Sequence, residues 1–264
     1  MKIIVLGGHG LIGSRVVAGL RLQGHEVVAA SRRTGVDVLT GTGLDAVLAG
    51  ADVVVDASNA PVFEDPDVAR FFQTGTAHVV SASERAGVRH LLALSVVGTP
   101  YLQGSAYFRA KAAQERQVRE ARLPATLVRA TQCFEFMAQL VPPGGIREPV
   151  RLPLAEVQPV AADDVATILA KLATAPPAGR LLQIAGPERH RLFELVEWVM
   201  YFHQDDRPVE GDADVRYYGA RLKDLTLTPE ANALLGPTRF ADWLASHVAG
   251  TLPQVNQPNP LGTR

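Results

Sequence analysis

Three polar side chains have the types and the spacing that reduction of a carbonyl group requires. Ser95 follows an apolar run at residues 90–94, and Tyr107 and Lys111 are four residues apart in the next helical stretch. Positions i and i+4 share one helix face, so the phenol and the ammonium are expected to point into the same cleft. An ammonium next to a phenol lowers the phenol's pKa of about 10 by stabilising the phenolate.

These side chains predict a proton-transfer site. We expect Tyr107 to give a proton to a carbonyl oxygen that Ser95 holds, and Lys111 to lower the pKa of Tyr107 and to hold the ribose of a cofactor. The alternative stays open, because Tyr-x-x-x-Lys spacing occurs by chance in many helices. Its position after a strand of a dinucleotide-binding pattern favours catalysis.

A glycine cluster near the start of the chain predicts a dinucleotide site. Gly7 and Gly10 follow an apolar run, and Leu11, Ile12 and Gly13 come next at the start of a helical stretch. Gly7 is expected to make a tight turn, Gly10 to let the backbone approach a pyrophosphate, and Gly13 to let the helix pack closely on the sheet. The positive end of the helix dipole then faces the anion. The other interpretation is a glycine-rich turn without a ligand.

The residues after the second apolar run favour NADP over NAD. An acidic residue there would bind the adenosine ribose of NAD, but this chain has Ser31, Arg32 and Arg33. Planar guanidinium groups pair well with phosphate oxygens, so these residues are expected to bind the 2′-phosphate of NADP. Asp37 and Val38 are expected to end a third strand near the adenine. The alternative is that both arginines are solvated loop residues.

Alternating strands and helices are needed to bring these motifs together. Short apolar runs predict strands at residues 3–6, 27–30, 51–55, 90–94, 125–128 and 181–185. Helical spacing and composition predict helices at residues 11–24, 44–48, 76–86, 104–122, 163–173, 192–203 and 240–248. This alternation predicts an α/β fold with a Rossmann-like, doubly wound parallel sheet.

The chain is expected to have one core and one lobe. Residues 1–140 are predicted to form the dinucleotide-binding core, to which residues 155–190 add a returning strand and helix. A proline- and glycine-rich break at residues 142–145 begins a small C-terminal substrate lobe, made of residues 141–154 and 191–251. Residues 252–264 are expected to be a loose tail.

Composition excludes several classes of protein. The 264 residues are 47% hydrophobic, and 26 basic against 27 acidic side chains give a net charge of −1. Nucleic acid and membrane are therefore poor candidates as partners. The single cysteine, Cys133, permits no internal disulfide and no cysteine-based zinc site. We expect a cytoplasmic protein that binds a small-molecule substrate and no metal, and its oligomeric state stays open.

An ordered set of motifs carries a family resemblance. It comprises Gly7-x-x-Gly10-x-x-Gly13, Asp56-Ala57-Ser58-Asn59-Ala60, Leu94-Ser95-Val96-Val97-Gly98, Tyr107-Phe108-Arg109-Ala110-Lys111, Leu127-Val128-Arg129-Ala130-Thr131 and residues 159–166. This set resembles the atypical short-chain dehydrogenase/reductase superfamily, in its NmrA-like branch. The resemblance implies that Ala57, Ser58 and Asn59 line the cofactor, and that Ala130 and Thr131 approach the nicotinamide.

The apolar residues expected around the cleft indicate the class of substrate. Phe71, Phe72, Phe134, Phe136 and Met137 fall in segments that should rim it, although aromatic residues at such spacing usually belong to a core. An apolar pocket predicts an NADPH-dependent reductase of a hydrophobic carbonyl, enone or quinone compound. The alternatives are a non-enzymatic NADP sensor or regulator, and an epimerase or dehydratase that retains its cofactor.

Overall fold

Runs of valine, isoleucine and leucine form the central sheet because their branched side chains are buried on both of its faces. The structure is a computed structural model that describes residues 1–141, 148–247, 252 and 258–261. Its strands are β1 (Lys2–Leu6), β2 (Glu26–Ala30), β3 (Val53–Asp56), β4 (His90–Val96), β5 (Ala125–Ala130), β6 (Val150–Pro153), β7 (Glu156–Val157), β8 (Leu181–Ala185), β9 (His190–Arg191), β10 (Val209–Asp212) and β11 (Leu234–Leu235).

The sheet is parallel, and its strand order places a crevice beside the glycine cluster. Seven strands pair in the order β11-β8-β5-β4-β3-β1-β2. The chain goes from β1 outward to β2 on one side and returns to β3 on the other. In open α/β sheets the ligand crevice lies at such a switch point, beyond the carboxyl ends of the strands.

Helices cover both faces of this sheet. They are α1 (Leu11–Leu22), α2 (Leu44–Leu48), α3 (Asp67–Arg85), α4 (Ala106–Glu120), α5 (Ala162–Thr174), α6 (Leu192–Phe202) and α7 (Phe240–Ala245). Helices α1 and α5 pack together on one face, and α2, α3 and α4 form a row on the other. The predicted doubly wound, Rossmann-like α/β fold is confirmed. No helix among the described residues is long and apolar enough to cross a membrane.

The C-terminal part of the chain packs with residues of α3 and α4 in a further apolar cluster. Here α6 packs on the parallel pair of β6 and β10 and on a 3₁₀ helix at Phe134–Leu140. Leu252 is buried in this cluster, and the Pro260 carbonyl accepts a hydrogen bond from the Tyr218 amide. The division into core, lobe and tail stays a prediction, and most of the expected tail lies outside the described residues.

Several sequence-based boundaries need correction. Asp37 and Val38 lie in a loop and not in a strand, because Gly35 has a φ of +77° and the Asp37 carboxylate accepts the Leu39 amide at 2.8 Å. Helix α3 begins at Asp67, nine residues before the expected start. Helix α7 ends at Ala245, three residues before the predicted end at Val248. Val248 and the predicted break at residues 142–145 lie outside the described residues.

A close backbone contact seats α1 on the loop that follows β1. A Cβ atom on Gly13 would lie 2.2 Å from the Gly7 carbonyl oxygen, so only glycine permits this approach. Gly7 has a φ of +73°, and its own Cβ would lie 2.7 Å from the Ala57 carbonyl oxygen. Both of the roles expected for these glycines, a tight turn and close packing, therefore have a geometric basis.

Two glycine-to-alanine substitutions within α1 test this contact. Gly13→Ala should lower the free energy of unfolding by about 1–3 kcal/mol, because its methyl group meets backbone that has little room to move. Gly19→Ala is the matched control, since its Cβ would lie 3.9 Å from the nearest atom, a methyl carbon of Ala170. The control should be neutral or stabilising by about 0.5–1 kcal/mol. Urea denaturation measures both, and equal effects would contradict the contact.

Candidate functional site

The first turn of α1 presents unpaired backbone amides at the crevice. The amides of Leu11, Ile12 and Gly13 have no carbonyl partner within the helix, as at every helix start. Gly10, the N-cap residue, has no side chain to satisfy them, and the first turn holds no acidic residue. A Cβ on Gly10 would lie only 3.2 Å from the Gly7 carbonyl oxygen. An open, positively polarised helix start of this kind fits an anionic pyrophosphate.

One continuous cleft of about 570 Å³ runs along this crevice. Almost all of the residues predicted to bind the cofactor line it: Gly7, Gly10, Leu11, Ile12, Ser31, Arg32, Arg33, Asp37, Val38, Ala57, Ser58, Asn59, Lys111, Ala130 and Thr131. Gly13 does not line the cleft, because it packs against Gly7. Ser95 and Tyr107 complete the lining among the predicted catalytic residues. The structure thus brings the predicted residues together, and their individual roles stay predictions.

The turn after β2 exposes the guanidinium groups of Arg32 and Arg33. Residues Arg32–Thr34 form a 3₁₀ turn, in which the Ser31 hydroxyl accepts the Arg33 amide at 3.2 Å. The same hydroxyl hydrogen-bonds His9 Nδ1 at 2.9 Å and so ties the turn to the glycine loop. Arg32 and Arg33 are exposed and form no hydrogen bond or ion pair through their side chains within the described residues. Both cations are therefore available to a ligand.

The loop after β3 is held by a carboxylate. Asp56 accepts hydrogen bonds from the amide and the hydroxyl of Ser58, at 3.0 and 2.6 Å. Asn59 follows, with its side-chain oxygen on the Ala60 amide at 3.1 Å. The segment that the family resemblance assigns to the cofactor is therefore fixed along one wall of the cleft.

The hydroxyl of Ser95 is engaged inside the protein. It donates to Glu115 Oε1 at 2.7 Å, and Glu115 also receives two hydrogen bonds from Arg129, at 2.7 and 2.5 Å. Ser95, Glu115 and Arg129 are all buried, so this group ties α4 to the ends of β4 and β5. Ser95 lines the cleft as predicted, but its hydroxyl hydrogen points to Glu115 and not to a substrate oxygen. A sequence reading misses this because Glu115 is twenty residues away.

Tyr107 lies in a cluster of aromatic rings. It stacks on Phe63 at a centroid distance of 4.1 Å, and Tyr218 lies 5.5 Å away. Burial raises the pKa of the Tyr107 phenol well above its usual value, and the neighbouring Asn59 side chain offsets only a part of the rise. The sequence predicted the opposite direction, from a charge on Lys111. Desolvation is the largest cause of the shift, because the phenol is buried among aromatic rings.

Lys111 is a buried cation with two contacts. Its ammonium donates to the Leu94 carbonyl oxygen at 2.9 Å and lies 4.4 Å from the centroid of the Phe72 ring. Desolvation lowers its pKa from 10.5 to about 8, although the charges of Asp56 and Glu115 act against this decrease. The ammonium is thus fixed at the carboxyl end of β4, where it lines the cleft beside Tyr107.

The far end of the cleft contains residues that the sequence did not indicate. Gln132, Tyr217 and Tyr218 line it together with Phe71 and Phe136. The other apolar residues expected at the rim are fully buried core residues of the cluster that packs on α6: Phe72, Phe134 and Met137. The two tyrosines come from the C-terminal part of the chain, so no local spacing connects them with Tyr107.

Comparisons with known proteins identify the class of this site. Residues 7–176 match the family described as NAD(P)H-binding, which is more than half of the chain, and the chain belongs to this family. The motif resemblance to the atypical short-chain dehydrogenase/reductase superfamily is thereby confirmed.

One curated relative is similar in part of its length. It is the 3-diazoavenalumate denitrifying reductase of a Streptomyces species, 37% identical over a 123-residue alignment, with 39% of this chain and 40% of the relative covered. The aligned part therefore spans less than half of that protein.

Solved structures support the fold. A dTDP-4-dehydrorhamnose reductase from Bacillus anthracis in complex with NADP superposes with a TM-score of 0.67 at 15% identity, covering 92% of this chain and 96% of the other. A short-chain dehydrogenase/reductase superfamily protein from Agrobacterium tumefaciens with bound NAD gives 0.65 at 17% identity, covering 80% and 85%. At such identities the likeness establishes the fold alone.

The buried position of Lys111 has a measurable effect on stability. Its pKa in the folded chain, about 8, is below the ordinary 10.5, so the unfolded chain binds more protons between these two pH values. The free energy of unfolding should therefore rise with pH across that window. Relative to Lys111→Met, the wild-type protein should gain about 3 kcal/mol between pH 7 and 10.5.

The measurement is chemical denaturation at a series of pH values. Lys171→Met, which removes an exposed lysine of α5, is the matched control and should follow the wild-type profile. Parallel pH profiles for the wild type and Lys111→Met would contradict the assignment of a buried, destabilised cation.

Proposed function

We propose that this protein is an NADPH-dependent reductase of a small hydrophobic carbonyl, enone or quinone compound. The observation that carries the proposal is one cleft lined by Arg32 and Arg33, whose side chains have no partner among the described residues, by a glycine-rich helix start and by the buried Tyr107. The membership of the NAD(P)H-binding family supports a nicotinamide cofactor. We also propose a cytoplasmic location, which the free Cys133 suits.

The described residues fit the cofactor. The Leu11 and Ile12 amides would hold the pyrophosphate, Arg32 and Arg33 the 2′-phosphate, and Lys111 the nicotinamide ribose. When bound, NADPH supplies a hydride from C4 of its nicotinamide ring.

Tyr107 is proposed as the proton donor. Its raised pKa keeps the phenol protonated throughout the neutral range, which is the form that donates. An alkoxide that forms on a substrate is a stronger base than a phenolate, so transfer from this phenol is favourable. Lys111, beside it, provides positive charge at the site. Ser95 is proposed to act through Glu115 and Arg129, by fixing the strand end that carries Leu94.

The two arginines should set the choice between NADPH and NADH. In the double variant Arg32→Ala/Arg33→Ala, affinity for NADPH should fall roughly 100-fold, since hydrogen bonds between charged partners contribute about 1.5–3 kcal/mol each. Affinity for NADH should stay unchanged. Fluorescence titration measures both. Arg70→Ala/Arg116→Ala removes the same charge from exposed positions outside the cleft and is the control. An equal loss for both cofactors would contradict a 2′-phosphate site.

Removal of the phenol tests the proton donor. Tyr107→Phe keeps the stacking on Phe63 but should lower kcat about 100- to 10,000-fold, since this is the usual contribution of a general acid. The loss of NADPH absorbance over a panel of ketones, enones and quinones gives the rate. The cofactor Kd should not change. Full activity in Tyr107→Phe would remove this residue from the mechanism.

A second substrate class comes from the curated relative, whose name describes a denitrifying reductase of 3-diazoavenalumate. For this chain the corresponding reaction would be the reduction of an aromatic diazonium group, in which the hydride from NADPH forms the new bond to the ring carbon and the carbon–nitrogen bond breaks to release dinitrogen. This reaction requires no proton from Tyr107, so the raised pKa of its phenol would not affect the rate. Turnover of an aromatic diazo compound that Tyr107→Phe retains would favour this class.

Two further functions have their own outcomes in these assays. Tight NADP binding without any turnover would favour a sensor. Conversion of substrate without net NADPH consumption would favour an epimerase or dehydratase.

A further inference from the structure

Gln132 has a buried side-chain amide that lacks a partner in hydrogen-bonding geometry among the described residues. It lies directly after Thr131 in the loop that follows β5, lines the far end of the cleft and is 6% exposed. Neither its Oε1 nor its Nε2 meets a partner in hydrogen-bonding geometry in the described part of the chain. The Gln132 amide lies near the Tyr217 phenol, where it offsets a part of the increase that burial causes in the pKa of Tyr217, but the two groups do not meet in hydrogen-bonding geometry. A buried amide left unpaired costs about 1–3 kcal/mol, which a ligand group can recover.

Backbone hydrogen bonds on both sides of Gln132 fix the position from which its side chain extends into the cleft. The Thr131 amide donates to the Ile184 carbonyl at 2.9 Å, and the Gln132 carbonyl accepts the Val160 amide at 3.0 Å. The Phe134 amide then donates to the Val160 carbonyl at 2.9 Å. These bonds bind the loop to the end of β8 and to the segment before α5. The amide is therefore pre-positioned, which lowers the entropic cost of recognition.

A strained hairpin turn lines the cleft near Gln132. Tyr217 and Ala220 exchange two backbone hydrogen bonds, of 2.8 and 3.0 Å, around Tyr218 and Gly219. Both central residues have positive φ, +47° and +80°, as in a type I′ turn. Asparagine and glycine are usual at the first of these positions, and a tyrosine there is strained. Strain of this kind is concentrated at ligand sites, and here it holds a ring 5.5 Å from Tyr107.

The residues at the far end of the cleft carry no charge, and their polar groups are the Gln132 amide and the hydroxyls of Tyr217 and Tyr218. The charged side chains of the described lining are Arg32, Arg33, Asp37 and Lys111, all among the predicted cofactor residues. Around Gln132 the lining consists of aromatic rings, including Phe136, which stacks on Tyr218 with centroids 6.3 Å apart. A flat, neutral ring fits such walls, and an anionic group would find no partner among them.

We propose that Gln132 and the turn from Tyr217 to Ala220 form a recognition subsite for an uncharged aromatic or conjugated ring compound that carries a hydrogen-bonding substituent besides the reacting group. The substrate ring packs against the rings of Tyr218 and Phe136, and the Gln132 amide binds the substituent. This inference rests on the proposed function, because it assigns the substrate class of the same cleft. Gln132 is accordingly a specificity-determining residue.

Binding of matched ketones to the NADP⁺-loaded protein tests the subsite without turnover. The probes are acetophenone and its 2-, 3- and 4-hydroxy isomers, which place one hydroxyl at three distances from the carbonyl. Ligand-observed NMR titration should give at least one hydroxy isomer a Kd about ten-fold below that of acetophenone, which corresponds to one hydrogen bond. In Gln132→Leu this preference should disappear, while the Kd of NADP⁺ stays within two-fold.

Thermal denaturation separates recognition from a structural role. Gln132→Leu should have a Tm equal to or above that of the wild type, because the variant loses an unpartnered polar group. In Tyr218→Gly, where glycine suits the positive φ, all four ketones should bind more weakly and the hydroxyl preference should remain.

Several outcomes overturn the inference: a wild-type protein that binds none of the ketones or does not distinguish them, a preference that survives Gln132→Leu, or a loss of NADP⁺ affinity in that variant. The last result would assign the amide to the cofactor's carboxamide. Turnover of panel ketones without a hydroxyl preference would refute the subsite alone. A hydroxyl preference without any turnover would refute the proposed reductase and leave the subsite standing.

Discussion

The contact between Gly13 and Gly7 is the constraint on which the site depends. Because neither residue has a side chain, the first turn of α1 lies directly on the loop after β1, where an added Cβ would come within 2.2 Å of a carbonyl oxygen. This approach places the unpaired amides of Leu11 and Ile12 along the cleft that the strand order creates between β1 and β3. The positive end of the helix and the crevice therefore coincide, and the sites for the rest of a dinucleotide follow along the sheet edge.

Burial determines the chemistry of the neighbouring side chains. The same desolvation raises the pKa of Tyr107 and lowers that of Lys111, because it disfavours the charged form of each. The phenol therefore stays protonated, and the ammonium is less firmly charged than an exposed lysine. The buried pair of Glu115 and Arg129 is anchored by Ser95 and leaves that hydroxyl no free hydrogen for a substrate. Proton donation at this site is thus proposed to depend on Tyr107 alone.

The local parts of the fold could be predicted from the sequence, and the contacts between distant segments could not. Glycines between an apolar run and a helical stretch indicate a dinucleotide site within a few residues, and the paired arginines follow the next strand at once. A third strand at Asp37 and Val38 was wrong, because the Asp37 carboxylate forms a turn with the Leu39 amide. The engagement of Ser95 by Glu115 depends on the register of α4 against β4. Gln132, Tyr217 and Tyr218 line the same cleft because the C-terminal segment folds back over it.

A crystal structure of the protein with bound NADP⁺ tests the central claim most directly. The pyrophosphate should lie against the Leu11 and Ile12 amides, with the 2′-phosphate between Arg32 and Arg33 and the nicotinamide ring beside Ala130 and Tyr107. A dinucleotide bound away from the glycine loop, or with its adenosine phosphate remote from both arginines, would contradict the account. So would crystals grown with excess cofactor that show no dinucleotide in the cleft.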